Sequence, residues 1–513
     1  MFKKNYQKNI YLFLLGAISA FSLPPYNYFL INFITFSAFF IFLLKQKKEI
    51  KNNKSYFKYG WIFGFGYFLS SLYWISIALT FDQDFKILIP ISLVLLPAFL
   101  AIFYGFITYL FSVFYSKRIF ASLLLFSLVF SLIEFLRGSI FTGFPWNLIA
   151  FSFSDSINFI QVLSLIGTYS FNLICITIFT CPAIFFLKNP KKEVLGFSIF
   201  FVIAVSFLIF GSNRVKEFHS VESHKNEYLI RSVSSNIGLD RFYNGQDEIK
   251  IINELISLSK PKNKKPTIFL WPEGMINTHI SDIKIYEDLF SKHFKESDVI
   301  IFGISNLESK QGKDFFYNSL GIFDNHLNLL GSYNKNKLVP FGEFLPFENI
   351  LQFLGFKIIT NNYQSFSKGE KRSFIKIDNN YFDLTLLPLI CYEIIYSGNL
   401  FKDNKFDYIL NISEDGWFGK SIGPKQHFSH AIFRSIESGK YIIRSANNGI
   451  SAIINPIGEV EKKIKFGNEG YIDFIESKNV NATLFSKYGN KIFILLILLY
   501  IFLIFSFNRI KNE

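Results

Sequence analysis

Between about Ile10 and Phe210 the chain is a series of long apolar stretches parted by short polar ones. Such stretches constrain a fold severely. Lipid offers no partner to backbone N–H and C=O groups, so a run of ~20 mostly apolar residues crosses a bilayer only as a helix that satisfies its own. The pattern predicts spans near residues 10–23, 26–44, 60–80, 87–115, 119–136, 158–187 and 194–211, and an eighth at 492–507. The first is short and runs into Pro24-Pro25, so the first pair also fits a re-entrant hairpin. The fourth contains Pro90 and Pro97 and is expected to kink. Residues 1–20 also fit a signal peptide loosely, with lysines before an apolar core and Ile18-Ser19-Ala20 after it. That alternative leaves the sidedness below unchanged.

Composition supports the membrane reading. Of 513 residues half are hydrophobic and 67 are Phe, which excludes a disordered chain or a collagen-like fibre. The net charge of +14 suits either nucleic acid or an anionic membrane surface. Its distribution favours the membrane, because the basic residues sit mostly in loops. Lys3, Lys4 and Lys8 precede the first span, and Lys45, Lys47, Lys48, Lys51, Lys54 and Lys58 follow the second. Lys117 and Arg118 follow the fourth, Lys188, Lys191 and Lys192 the sixth, and Arg509 and Lys511 the eighth. The loop after the third reads Phe81-Asp82-Gln83-Asp84. Lysine and arginine mark the cytoplasmic side, so both termini are expected there and the polar region between spans seven and eight outside.

That division gives residues 1–211 as seven spans, 212–490 as an extracytoplasmic domain and 491–513 as a closing span with a short cytoplasmic tail. The domain reads as α/β. Compact apolar runs at 229–233, 267–270, 299–302, 319–323, 384–390, 408–412 and 450–454 predict strands, and 247–259, 281–294 and 424–439 predict helices. Strands buried under helices predict a layered sandwich.

Three cysteines are too few and too scattered for a disulfide framework. Cys175 and Cys181 fall inside the sixth span, where thiols serve as packing residues. Cys391 stands at the end of the strand 384–390, directly before Tyr392-Glu393, and it is the single cysteine of the outer domain. Its position alone leaves both a buried structural cysteine and a nucleophile open. A second strand, 267–270, runs into Trp271-Pro272-Glu273-Gly274 and puts a carboxylate at its tip. In the block 333–343 the charges of Lys335, Lys337 and Glu343 are interleaved with apolar residues. A carboxylate, an ammonium and a thiol are the parts of covalent acyl transfer: the acid takes the thiol proton, the cation steadies the oxyanion, the thiolate attacks.

At these blocks the chain resembles the nitrilase superfamily, and within it the membrane branch of apolipoprotein N-acyltransferases. The strings that carry the resemblance are WPEG at 271–274, YNKNKLVPFGEFLPFE at 333–348, ICYEI at 390–394, NISEDGWFGKSIGPKQHF at 411–428 and RSANNGISAIINPIGE at 444–459. GFGYFLSSLYWI at 64–75 and FTGFPWN at 141–147 extend it into the membrane half. The resemblance implies an αββα sandwich inserted in a polytopic helical membrane protein. It implies Glu273 as general base, Lys335 as oxyanion-stabilising cation and Cys391 as nucleophile, with Glu343, Tyr392 and Glu393 in supporting or substrate-binding places. The implied partners are a phospholipid acyl donor and a diacylated apolipoprotein acceptor at a bacterial inner membrane, the catalytic domain being periplasmic. No metal or other cofactor is implied. Two positions depart from the pattern: Tyr243 stands where Trp is expected, and Glu414-Asp415-Gly416 replaces a more usual Asn-Asp-Ala.

Other constellations carry less. His427 and His430, at i and i+3, are expected on a helix surface rather than on a metal. Glu134 and Arg137 form either an interfacial ion pair or a lipid head-group contact. Arg231 and Lys440 read as ordinary charges. The apolar segment from Phe344 to Phe356 is expected to be a lid or a membrane-dipping arm. No phosphate loop, dinucleotide fingerprint or nucleic-acid footprint appears. A membrane-tethered amide hydrolase and a lipoprotein-binding scaffold without chemistry are the rival readings.

Overall fold

The structure, a computed structural model, describes residues 5–49, 52–187, 194–242, 247–346, 348, 353, 365–398 and 405–509. Lys51, Lys188, Tyr243 and most of the expected arm, Phe347 and 354–356 included, lie outside them. The membrane half comprises helices α1 (Asn5–Ser19), α2 (Leu30–Glu49), α3 (Lys54–Leu72), α4 (Ile89–Phe114), α5 (Ile119–Arg137), α6 (Leu163–Thr180) and α7 (Val194–Ser220). The last described helix, α11 (Lys491–Arg509), follows the polar region.

Among the described residues seven helices are long and apolar enough to cross a bilayer, and they match seven of the eight expected spans. The other is α1, whose 15 residues continue as a short 3₁₀ turn at Ala20–Ser22. It joins the bundle by backbone contact with α3. A Cβ on Gly16 would stand 1.9 Å from the Phe63 carbonyl oxygen, and one on Gly66 2.2 Å from that of Phe13. The most apolar stretches of α5 and α6 are 78% buried and form the middle of the bundle, whereas those of α7 and α11 are 11% buried. Side chains such as Phe201, Leu495 and Phe502 stand outward, an apolar surface of the kind lipid covers.

The polar region folds as two stacked sheets. The first contains β1 (His224–Ser234), β2 (Thr267–Leu270), β3 (Ile276–His279), β4 (Val299–Lys310), β5 (Lys313–Phe323), β6 (Leu329–Asn334) and β13 (Gly470–Ser477), in the order β13-β1-β2-β4-β5-β6 with β3 beside β4. The second is built from β7 (Ile375–Asp378), β8 (Asp383–Ile390), β9 (Tyr408–Glu414), β10 (Ile442–Asn447), β11 (Ser451–Ile454) and β12 (Val460–Ile464), in the order β12-β11-β10-β9-β8-β7. In the first sheet β1, β2 and β4 pair in parallel and β3 pairs parallel to β4; in the second β8, β9 and β10 pair in parallel.

Alternation decides the layers, since successive side chains of a strand face opposite ways. Ile268 and Leu270 meet Leu384, Leu386, Leu410 and Ile412 between the sheets. Phe269 and Trp271 face outward onto α8 (Glu248–Ser259) and α9 (Glu287–His293). On the far side Leu387, Leu389, Ile409 and Ile442 face α10 (Gly423–Ser438), and the same core runs on into the membrane helices. The order is helix, sheet, sheet, helix. The fourth layer is covered by the membrane half.

This last contact corrects one expectation. His427 and His430 are not on a helix surface: both are fully buried, because α10 has the sheet on one side and the bundle on the other. Two aromatic residues of the membrane half, Trp74 and Trp146, donate to Gln426 Oε1 at 3.1 and 2.9 Å. Thr168 donates to Glu437 Oε1 through its N–H (2.8 Å) and its hydroxyl (2.6 Å). Arg231 is also no ordinary surface charge. It is buried, pairs with Asp473 at 2.7 Å and lies over the Tyr471 ring.

Candidate active site

Parallel strands place their carboxyl ends together, and ligands of open α/β sheets bind outside those ends. Here β2 ends before Glu273, β8 before Cys391, and β9 at Glu414, directly before Asp415. Close approach of the tips depends on Gly303 in β4, where a Cβ would lie 2.7 Å from the Glu273 Cα.

Glu273, Lys335 and Glu343 meet in one buried cluster. The Lys335 ammonium donates to Glu273 Oε1 at 3.1 Å and to Glu343 Oε1 at 2.8 Å. Asn318, from β5, donates to the same two oxygens at 2.8 and 2.7 Å. Glu273 Oε2 accepts the Glu414 N–H at 2.9 Å, and Glu343 Oε2 accepts the Val339 N–H at 2.7 Å. Each oxygen of the two acids thus accepts at least one hydrogen bond. Burial pulls the Lys335 pKa down, but Glu273 and Glu343 outweigh it and hold the ammonium well above the usual lysine range.

Cys391 is buried at the start of a 3₁₀ turn, Cys391–Ile395, with a left-handed φ of +46°. A non-glycine residue held there costs about 1–3 kcal/mol, and such strain persists where the surroundings over-determine it. Burial first, then the charges of Glu273 and Asp415, push the thiol well above its ordinary range; Lys335 and a Ser413 hydrogen bond draw it back. The resting thiol is therefore protonated near neutral pH, and it becomes a nucleophile only if a base takes its proton.

Tyr392 and Glu393 have other work. Glu393 Oε1 accepts from the Tyr333 hydroxyl (2.8 Å) and from the N–H groups of Asn336 (2.9 Å) and Lys337 (3.1 Å). Its Oε2 accepts from the Ile390 N–H at 3.0 Å. One buried carboxylate thus ties the turn of Cys391 to the strand end of Lys335. Tyr392 donates to the Gly143 carbonyl at 2.9 Å and Tyr396 to the carbonyls of Thr142 and Gly143, both at 3.0 Å. That loop belongs to the membrane half and is held by Arg137, which donates to the Phe144 carbonyl and pairs with Glu134 at 2.7 Å. Glu134 and Arg137 thus form the expected ion pair, and both are buried.

Beneath the thiol, Cys391, Asp415 and His427 bring potential ligand atoms within 4.8 Å of one another. The donor set does not fit a cation well. Asp415 Oδ1 already accepts from Ser413 and faces His427, Oδ2 accepts from Arg444 at 2.7 Å, and the guanidinium would repel a metal ion. Glu414, a departure from the expected Asn, is answered by the buried Arg241, with which it pairs, and by Asn447 Nδ2 at 2.7 Å. Glu273, Asn318, Glu343, Glu414, Phe242 and Trp417 line a cavity of about 90 Å³. From the sequence no role followed for Asn318, Ser413 or Arg444, and Asp415 was named only as part of a departure from the family pattern. Nothing in their spacing marks them, since they come to the site from three different strands and one strand end.

Residues 15–181 match the family described as apolipoprotein N-acyltransferase N-terminal domain, and residues 291–474 that described as carbon-nitrogen hydrolase. An apolipoprotein N-acyltransferase of Rhizobium rhizogenes is 31% identical over 91% of this chain and 90% of its own length. One of Rickettsia typhi is 33% identical over 98% of this chain and 100% of its own length. Among solved structures, a CN-hydrolase superfamily protein of Xanthomonas campestris is similar at 14% identity and a TM-score of 0.35, covering 48% of this chain and 90% of that one.

Proposed function

The chain belongs to the apolipoprotein N-acyltransferase family, and from that premise we propose that it moves a fatty acyl chain from a membrane glycerophospholipid to the N-terminal α-amine of a diacylglyceryl-cysteine apolipoprotein, the last step of lipoprotein maturation. Glu273 takes the Cys391 proton as the sulfur attacks the ester carbonyl, and the Lys335 ammonium stabilises the oxyanion. The tetrahedral adduct collapses to a thioester. Glu273 returns the proton to the departing lysophospholipid oxygen. In the second half the lipoprotein amine attacks the thioester, Glu273 accepts its proton, and Cys391 leaves as the thiol. Glu343 and Asn318 hold Lys335 and Glu273 in place throughout.

The observation that carries this reading is the double anchorage of the Cys391 turn. Glu393 fastens it to the strand of Lys335, and Tyr392 and Tyr396 fasten it to the membrane half. A thiol placed there meets lipid-borne substrates without drawing them into water. Exposing an acyl chain of about 16 carbons would cost about 13 kcal/mol at ~0.8 kcal/mol per CH₂. Residues 1–211 and 491–513 are then the membrane anchor and 212–490 the periplasmic catalytic domain of an inner-membrane enzyme. A membrane-tethered hydrolase would use the same residues with water as the second nucleophile. Purified protein given labelled phospholipid and a diacylated lipopeptide separates the two. N-acylated peptide is expected; free fatty acid alone would establish the hydrolase, and no turnover would refute both.

A further inference from the structure

Cys391 is bracketed by two fixed points. On one side the Ile390 N–H is held by Glu393 Oε2 at 3.0 Å. On the other, the carbonyl oxygen of Cys391 itself faces His427 Nε2 at 3.2 Å. The His427 ring is fully buried, and its freedom is removed in three ways. Its plane is set by Trp146 of the membrane half, stacked at 5.3 Å and 22°, and by the edge of Phe418 at 5.5 Å. Rotation within that plane is set at Nδ1, which lies 2.9 Å from Asp415 Oδ1 and 3.2 Å from Arg444 Nη2; with the ring proton on Nε2, the Arg444 N–H donates to Nδ1. Asp415 is held in turn by Ser413 at 2.7 Å and by Arg444, whose Nη2 lies 2.7 Å from Oδ2. What remains is Nε2, aimed at the backbone of the nucleophile.

We infer that His427 is a positioning residue, whose Nε2–H fixes the Cys391 carbonyl and so keeps the strained turn in the one orientation that presents the thiol to Glu273 and Lys335. The bond goes to the carbonyl, not to the sulfur, so His427 handles no proton of the reaction. The Trp146 stack makes this orientation depend on the seating of the membrane half against α10. A displaced backbone at a nucleophile costs rate steeply, since 1 Å of misplacement is worth about 10²-fold. Its consequence for the reaction rests on Cys391 being the nucleophile; the hold on the Cys391 turn does not.

The test uses full-length protein in detergent and three substitutions. His427→Gln keeps an N–H near Nε2, His427→Asn offers its amide only at the Nδ1 end, toward Asp415 and Arg444, and His427→Phe keeps only the stacked shape. The readouts are alkylation of Cys391 by iodoacetamide, followed on its own peptide, and the single-turnover rate of acyl-enzyme formation. His427→Gln should retain at least a third of both wild-type rates. His427→Asn and His427→Phe should lose at least tenfold in each, with the KM for the lipopeptide unchanged. Should His427→Phe fail to fold, the Gln and Asn pair, matched in melting temperature, still decides. Equal rates for Gln and Asn would overturn the inference. If alkylation follows the expected order but no wild-type acyl-enzyme forms, the nucleophile assignment falls and the positioning role stands.

Discussion

Glu273 and Lys335 act on the Cys391 thiol in opposite directions, and that opposition can be measured. The Glu273 charge raises the thiol pKa and the Lys335 charge lowers it. Glu273→Gln should therefore shift the pH titration of Cys391 alkylation downward, making a better thiolate, while acyl-enzyme formation falls by at least ~10²-fold because the base is gone. Lys335→Ala should shift the titration upward and also cost ~10²-fold, the scale of a lost oxyanion donor. Parallel loss of alkylation and acylation in Glu273→Gln would mean that the glutamate serves folding rather than proton transfer. At this scale the sequence was informative where chemistry and strand ends coincide, as at Glu273 and Cys391. It was silent on Asn318, a mid-strand amide like any other until β5 lies beside both glutamates. The same holds for Glu393, which looks like a second acid beside the nucleophile and is a backbone anchor.

At the scale of elements the helix α10 decides how the two halves of the chain meet. Glu437 accepts from Thr168 of α6 and from the Ser397 hydroxyl at 2.7 Å, and pairs with Arg434 at 2.7 Å, all fully buried. Removing one partner of a buried pair leaves the other charged and unmatched, which costs about 3–5 kcal/mol. Glu437→Ala should lower the unfolding free energy of the solubilised protein by about that much. A change below ~1 kcal/mol would mean that α10 is held by its apolar contacts alone. The strands and helices of the polar region were legible from apolar runs bounded by turns, and all seven expected strands overlap observed ones, β1, β2, β4, β5, β8, β9 and β11. The burial of α10 was not legible. A helix bearing His427, His430, Arg434 and Glu437 has the composition of a surface helix, and only the bundle packed over it turns those groups inward.

For the whole molecule, the lysine pattern and the seating of the outer domain on the bundle bear on one question, which side of the membrane the site faces. With cytoplasmic termini, a cysteine introduced at Asn52 should be shielded from an impermeant maleimide in intact spheroplasts, and one at Lys264 should be labelled. Labelling at Asn52 with protection at Lys264 would invert the topology. The cavity at the site also has a consequence at this scale. Its volume of about 90 Å³ is well below the ~300–1,000 Å³ of pockets that hold sizeable ligands, so the proposed acyl transfer needs more room than this cavity gives. Phe242 and Trp417, stacked at 5.6 Å, are the wall residues whose separation would widen it.

The central claim is that Cys391 carries the acyl group between two half-reactions. Incubation of the purified protein with acyl-labelled phospholipid and no acceptor tests it most directly. Label should remain on the wild-type chain, be released by neutral hydroxylamine as a thioester is, and pass to a diacylated lipopeptide added afterwards; Cys391→Ala should take up none. Label retained by Cys391→Ala, or N-acylated peptide formed by that variant at the wild-type rate, would contradict the account.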